Sequence, residues 1–437
     1  MIINGGGAGG TGSDECTARL SDIPAGLKAV TADSNDEAGV GTMAMTGNAQ
    51  AAHVLAGETF YTNNYKTKLT GTMTVNSLLN FSVAVYSGRR VLAKWQNPNQ
   101  AAGKPFSGVI IRYSTSGYPG TTGGTQIYKG AGNNTAAGAW SQAYLDMPSL
   151  NTTYYFSCYP YVTIGEGVIN GVVRNVTCKT SGELNKTFTA SGSYTIPAGY
   201  TKMDLFAVGG GGGGCSSYSQ SSGGGGGYTS TTLGYSVVGG TTLTIIVGSG
   251  GAGAAYNRTD SFGTDGGSSS ISGIVSAAGG RGGGSKTGGS ADMRSGAYCN
   301  GGSGGGETNQ NSGSGADMPA YKGGNGGSDG GNGQVSYNWQ SYQGCRGQGR
   351  TTRAYGSKTG TLYSGGGGAG DSSSGGYGNN SQGMGGAGGG GNGGLINTYT
   401  DKQKSATAGS TNTGGGGGGS TKGGQPGGSG IVLMKLY

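Results

Sequence analysis

The sequence predicts a mainly β chain in three successive parts, on three observations. Glycine is unevenly spread: 26 of the 106 glycines lie in residues 1–182, and the other 80 in the 255 residues that follow. Between 79 and 181, apolar and polar residues alternate at the period of a strand. The glycine-saturated stretch beyond, about 209–430, is bracketed by two apolar strands, Lys202-Met-Asp-Leu-Phe-Ala-Val208 and Ile431-Val-Leu-Met-Lys-Leu-Tyr437. The expected architecture is an extended β-rich head (1–78), a β-sandwich (79–181), and a small β base carrying a glycine-rich polyglycine-II helix bundle (182–437).

In the head, Ser21-Asp22-Ile23-Pro24 suggests a helix start, with Ser21 or Asp22 as cap and Pro24 in the first turn. Gly41-Thr-Met43 and Gly71-Thr-Met73 fit short strands between turns better than helix. So few apolar residues make no independent core, so the segment is expected to wind with copies of itself or dock on a partner. The phrase Leu55-Ala-Gly-Glu-Thr-Phe60 … Lys68-Leu-Thr-Gly-Thr-Met73 resembles a short repeat of tail and baseplate-attached fibre proteins of tailed bacteriophages. That resemblance implies a homotrimeric, virion-attached head contacting other tail or baseplate proteins through 1–78.

Seven strands are expected in the sandwich, near 81–86, 90–96, 109–114, 126–128, 143–147, 154–161 and 168–178. Trp95 ends the second, Val109-Ile-Ile-Arg-Tyr113 forms the third, and Leu150-Asn-Thr-Thr-Tyr154-Tyr-Phe156 opens the sixth with a tyrosine corner. These details resemble a fibronectin type III domain. Such modules serve many functions, so this one decides none.

The last part starts with two strands in 186–200 turning at Pro197-Ala-Gly199, followed by 202–208, 241–247, a weaker 269–275, and 431–437. Glycine runs at 209–214, 223–227, 365–368, 388–391 and 414–419 fill the interval. Glycine-rich sequence ordinarily stays a flexible linker, because it buries little apolar surface and loses much entropy on ordering. A polyproline-II chain has three residues per turn and a backbone open to outside partners. Without side chains, several such helices can pack and satisfy one another's N–H and C=O groups. Strands at both edges favour that ordered state. The arrangement, over 186–437, resembles the glycine-rich C-terminal domain of phage tail-fibre adhesins, which implies a receptor-binding role on the virion tail after synthesis in the host bacterial cytoplasm.

The formal charge of +8 is spread without a Lys/Arg run beyond Arg89-Arg90, so no nucleic-acid partner is expected. The six cysteines lack Cys-x-x-Cys spacing, and no metal or cofactor is expected; Cys158 and Cys178 are expected as free buried thiols. Met1-Ile-Ile-Asn-Gly-Gly does not read as a signal peptide, and no segment approaches the roughly 20 apolar residues of a membrane span. His53 is the single histidine and stands apart from any nucleophile and acid. The scattered Asp260, Asp265, Asp292 and Asp317 suit turns better than a hydrolytic pair. No enzyme is expected.

Recognition must then come from the loops between glycine helices. The longest glycine-poor insert, 334–355, sets Tyr337, Trp339, Tyr342 and Tyr355 beside Arg346, Arg350 and Arg353. Rigid aromatics among Ser, Gly and Asn are the composition of antibody loops, and Tyr, Trp and Arg also suit a glycan. Tyr256, Arg258, Tyr298, Tyr321 and Tyr399 stand in smaller inserts. The expected partner is a host cell-surface glycan or protein; the competing reading is that these aromatics only cover the bundle's flanks. Rival functions are a non-adhesive tail spacer with a flexible glycine region, an ice-binding surface, and an accessory module of a secreted enzyme.

Overall fold

A computed structural model of the chain describes residues 12–164, 166–216, 220–256, 261–284, 305–306, 352–373, 383–397 and 402–437. It is mainly β, and its helical pieces are single 3-10 turns. The chain divides into two compact units: residues 1–86, 90–147 and 152–180 form one, and residues 87–89, 148–151 and 181–437 the other.

In the first unit the head is a duplicated motif. A turn at Leu20–Asp22 precedes a hairpin of β1 (Lys28–Ala29) and β2 (Gly39–Val40), and a turn at Ala51–His53 precedes β3 (Thr59–Phe60) and β4 (Leu69–Thr70). Thr42 N–H donates to Leu20 O and Thr72 N–H to Ala51 O; Met43 and Met73 donate to Ile23 O and Val54 O. The Gly-Thr-Met phrases thus end equivalent units, and a side chain at Gly41 or Gly71 would run into the carbonyl of Ile23 or Leu55. The expected helix at Ser21 is corrected to a 3-10 turn that ends before Pro24, because Met43 and Thr42 take the carbonyls a helix would need.

The sandwich packs β5 (Asn80–Ser87), β6 (Arg90–Gln96) and β9 (Trp140–Asp146) against β7 (Gly108–Ser114), β8 (Thr125–Gly130), β10 (Thr153–Ile164), β11 (Gly167–Asn170) and β12 (Arg174–Lys179). Trp95, Ile111, Tyr154 and Phe156 are buried at its centre. The expected strand 168–178 is two strands, β11 and β12, pairing with successive parts of β10. The break falls at Gly171, whose N–H bonds Pro160 O and which has no room for a side chain beside Pro160 and Val75. Cys158 and Cys178 are free and buried, facing Arg174 and Tyr154 across the ladder instead of each other.

The base of the second unit is two four-stranded sheets. One contains β13 (Leu184–Phe188), β24 (Ile431–Leu436), β15 (Lys202–Val208) and β17 (Thr229–Ser236) in that order. The other contains β14 (Gly192–Thr195), β18 (Thr242–Ile246), β19 (Ser269–Ile271) and β20 (Val275–Ala277). Met203, Leu205, Leu243, Ile245, Ile271 and Met434 fill the space between them. The far face of β15 and β24, with Phe206, Val208 and Ile431, is covered by Tyr363 and Tyr355.

Six of these strands run directly into glycine segments: β15 into helix I (209–214), helix II (222–228) into β17, β18 into III (248–254), helix IV (261–267) into β19, β20 into V (278–284), and VII (424–430) into β24. Helix I donates to II from Gly209, Gly212 and Cys215, to IV from Gly210 and Gly213, and to VII from Gly211 and Gly214, at 2.8–3.0 Å. Partners recur every third residue, which is the three-residue turn of a polyproline-II helix. Its carbonyls accept from III (Gly251, Ala254), V (Gly280, Gly283) and VI (414–420; Gly417, Ser420). The ring III–IV–V–II–VI–VII closes through its own bonds, so helix I sits inside a hexagon of alternately parallel and antiparallel neighbours. Helix VI is enclosed the same way by I, II, VII, 364–370, 390–394 and 406–410.

Candidate functional site: the outer end of the glycine bundle

Encirclement explains the glycine. A side chain at Gly209 or Gly212 would enter the carbonyls of V, at Gly210 or Gly213 those of III, and at Gly211 or Gly214 those of VI. Every azimuth is blocked, so the enclosed stretches are glycine throughout, 209–214 in helix I and 414–419 in helix VI. A peripheral helix has one open azimuth, and side chains recur there every third residue: Ser249, Ala252 and Ala255 on III, Phe262, Asp265 and Ser268 along IV, Ala278 and Arg281 on V, all exposed.

The bundle has two unlike ends. At one end it grows out of the two base sheets. At the other, about 20 Å away at ~3.1 Å per residue, a small sheet joins β16 (Gln220–Ser221), β21 (Gly370–Ser373), β22 (Leu395–Asn397) and β23 (Lys402–Lys404). Helices I and II, III and IV, and VI and VII are connected at this outer end. Among the described residues, the connections I–II, III–IV and VI–VII and the small sheet lie at the outer end, while 352–363 packs at the base.

Of the sequence-predicted residues, Tyr256 lies at the outer end, 60% exposed, where III gives way to its loop. Its neighbour is the Lys422-Gly423 turn between VI and VII, with Lys422 exposed. Phe262, 55% exposed, stands on IV near this end. Composition does not single it out, but the three-residue period does, because 262 is in phase with Asp265 and Ser268. Asp265 and Arg281 approach to 3.4 Å on the flank, both largely exposed, so the pair contributes little.

Arg353 and Tyr355 sit at the opposite end. Arg353 pairs with Leu362 and its guanidinium donates to Gly360 O. Tyr355, at φ +57°, lays its ring 6.4 Å from that of Phe206. Burial, and then the nearby charge of Asp204, push its hydroxyl up to about 12. The segment 352–363 thus covers β15, and the structure separates these two residues from Tyr256. Tyr337, Trp339, Tyr342, Arg346, Arg350, Arg258, Tyr298, Tyr321 and Tyr399 lie outside the described residues.

Fold and site define a class: a mainly β protein whose loops are mounted on a hydrogen-bonded bundle of glycine helices. The chain belongs to the glycine-rich domain family, whose model matches residues 186–437, from β13 to the last residue. No curated protein matches the chain.

Proposed function

We propose that the protein is a tail-fibre or tail-tip receptor-binding protein of a tailed bacteriophage. It attaches the virion to a host cell-surface glycan or protein through the loops at the outer end of the glycine bundle. The observation that carries this reading is the polarity of the bundle: its enclosed helices are backbone alone, and the connections I–II, III–IV and VI–VII gather at the end away from the base sheets. The head phrase 55–73, with its resemblance to tail-fibre repeats, supports attachment to tail or baseplate proteins through 1–78. In this reading the fibre is a homotrimer joined through its heads, because one chain already closes both glycine hexagons. The protein acts by multivalent binding and not by catalysis.

The test is to replace 334–350 by a glycine–serine segment of equal length, leaving 352–363 to cover Phe206. Adsorption of phage carrying this protein should be lost while the purified protein keeps its melting temperature. Unchanged adsorption removes the loop from the binding surface. The non-adhesive spacer requires a flexible glycine region, and the interlocked bonds of helices I and VI speak against that requirement.

A further inference from the structure

In the first unit, the second head motif and the 97–106 loop of the sandwich enclose a recess of about 580 Å³, a size typical of small-molecule sites. Backbone bonds hold it open: Thr74 N–H donates to Gly103 O and Asn76 N–H to Pro105 O, at 3.1 and 3.0 Å. Its polar lining is Asn76, Asn97, Asn99, Gln100, His53, Lys104 and Thr135, and no carboxylate contributes. Met73 and Phe106 give it apolar wall. Asn97 is 1% exposed. Its Nδ2 donates to Asn134 O and Ala136 O at 2.9 and 3.0 Å, whereas its Oδ1 is buried without a partner.

Side-chain amides offer donors and acceptors together, the complement of a polyhydroxylated ring. Lys104 and His53 are exposed lining residues and no carboxylate lies among that lining, so the Lys104 ammonium favours an anionic substituent on that ring. We propose that this recess binds an acidic sugar, a hexuronic-acid unit of a polysaccharide, with its hydroxyls on the amides and its carboxylate toward Lys104 and His53. The site is in the unit without the glycine bundle and stands independently of the adhesion reading.

The test uses the full chain with glucuronate, glucose and a short Asp/Glu-rich peptide, followed by saturation-transfer NMR and calorimetry. Saturable glucuronate binding is expected, with glucose weaker by about tenfold, the worth of one charge-assisted hydrogen bond. Lys104→Ala should bring glucuronate down to the level of glucose, and Gln100→Ala should weaken both sugars. Both residues are exposed, so their removal leaves the fold intact. Absence of saturable sugar binding, equal affinity for glucose and glucuronate, or binding of the peptide alone each overturns the assignment.

Discussion

Gly212 and Ala252 differ by one methyl group and by everything around it. An alanine at 212 would place its Cβ in the carbonyl of Arg281, with only backbone to give way, whereas Ala252 already points outward. Overpacking costs about 1–3 kcal/mol where side chains can adjust; here the upper end applies. Gly212→Ala should lower the melting temperature of the glycine domain by roughly 6–12 °C, and Ala252→Ser should leave it within about 1 °C. Equal melting of the two variants would sink the encirclement account. Titration offers a second residue-scale prediction. Burial raises the Cys158 thiol well above its ordinary 9.0, and Tyr355 rises from 10.0 to about 12. Below those ordinary values both groups are protonated whether folded or not, and stability is unaffected. As pH climbs past 9 the unfolded chain sheds protons that the folded chain keeps, so stability falls. Urea midpoints should therefore drop between pH 8 and 11, and Tyr355→Phe should reduce the part above pH 10 in the second unit, leaving the share of Tyr194, Tyr200, Tyr363 and Tyr437, which are also raised. A flat profile contradicts this. The buried thiols were legible from the missing Cys-x-x-Cys pattern; the packing role of Tyr355 was not, since its partner Phe206 lies 149 residues away in sequence.

At the level of elements, the sequence disclosed most strands with one buried face. The expected strand 269–275, however, is a hairpin of β19 and β20 about a turn at 272–274, with Gly273 at φ +74°. β5, β6, β7, β15 and β24 fall within a residue or so of where alternation places them. β17 escaped, because Thr229-Ser-Thr-Thr-Leu-Gly-Tyr-Ser236 sits at the edge of its sheet, with Leu233 61% exposed and no apolar alternation to read. β16, β21, β22 and β23 are two to four residues long and exist through pairing with one another, so no local pattern marks them. The glycine helices carry a stricter rule than either. Inserting one glycine after Ser249 turns Ala252 by about 120° into the azimuth of Gly253, where a Cβ meets the carbonyl of Gly424. Inserting Gly-Gly-Ala at the same point restores the azimuth and lengthens the helix by about 9 Å. The first protein should melt lower by roughly 6 °C or more, and the second should melt close to the parent. Identical behaviour of the two insertions would exclude a three-residue repeat in helix III.

For the molecule as a whole, glycine content announced the bundle, but its connectivity lies in contacts between residues as distant as 211 and 428. Strand β24 is the hinge of that connectivity. It pairs with both β13 and β15 and continues helix VII, which touches both enclosed helices. Removing 431–437 should therefore release the entire second unit to protease while the sandwich stays resistant. Selective trimming of helix VII alone would show that the lattice stands without its base. A mechanical consequence follows from the same bonds. They lie across the helix axes, while a pull between the outer loops and the base sheets runs along those axes. Such a load shears many bonds at once instead of peeling them singly, and rupture under force is governed by the unfolding barrier and not by equilibrium stability. In the adhesion proposed above, helices bonded only through their backbones would thereby hold fast against flow.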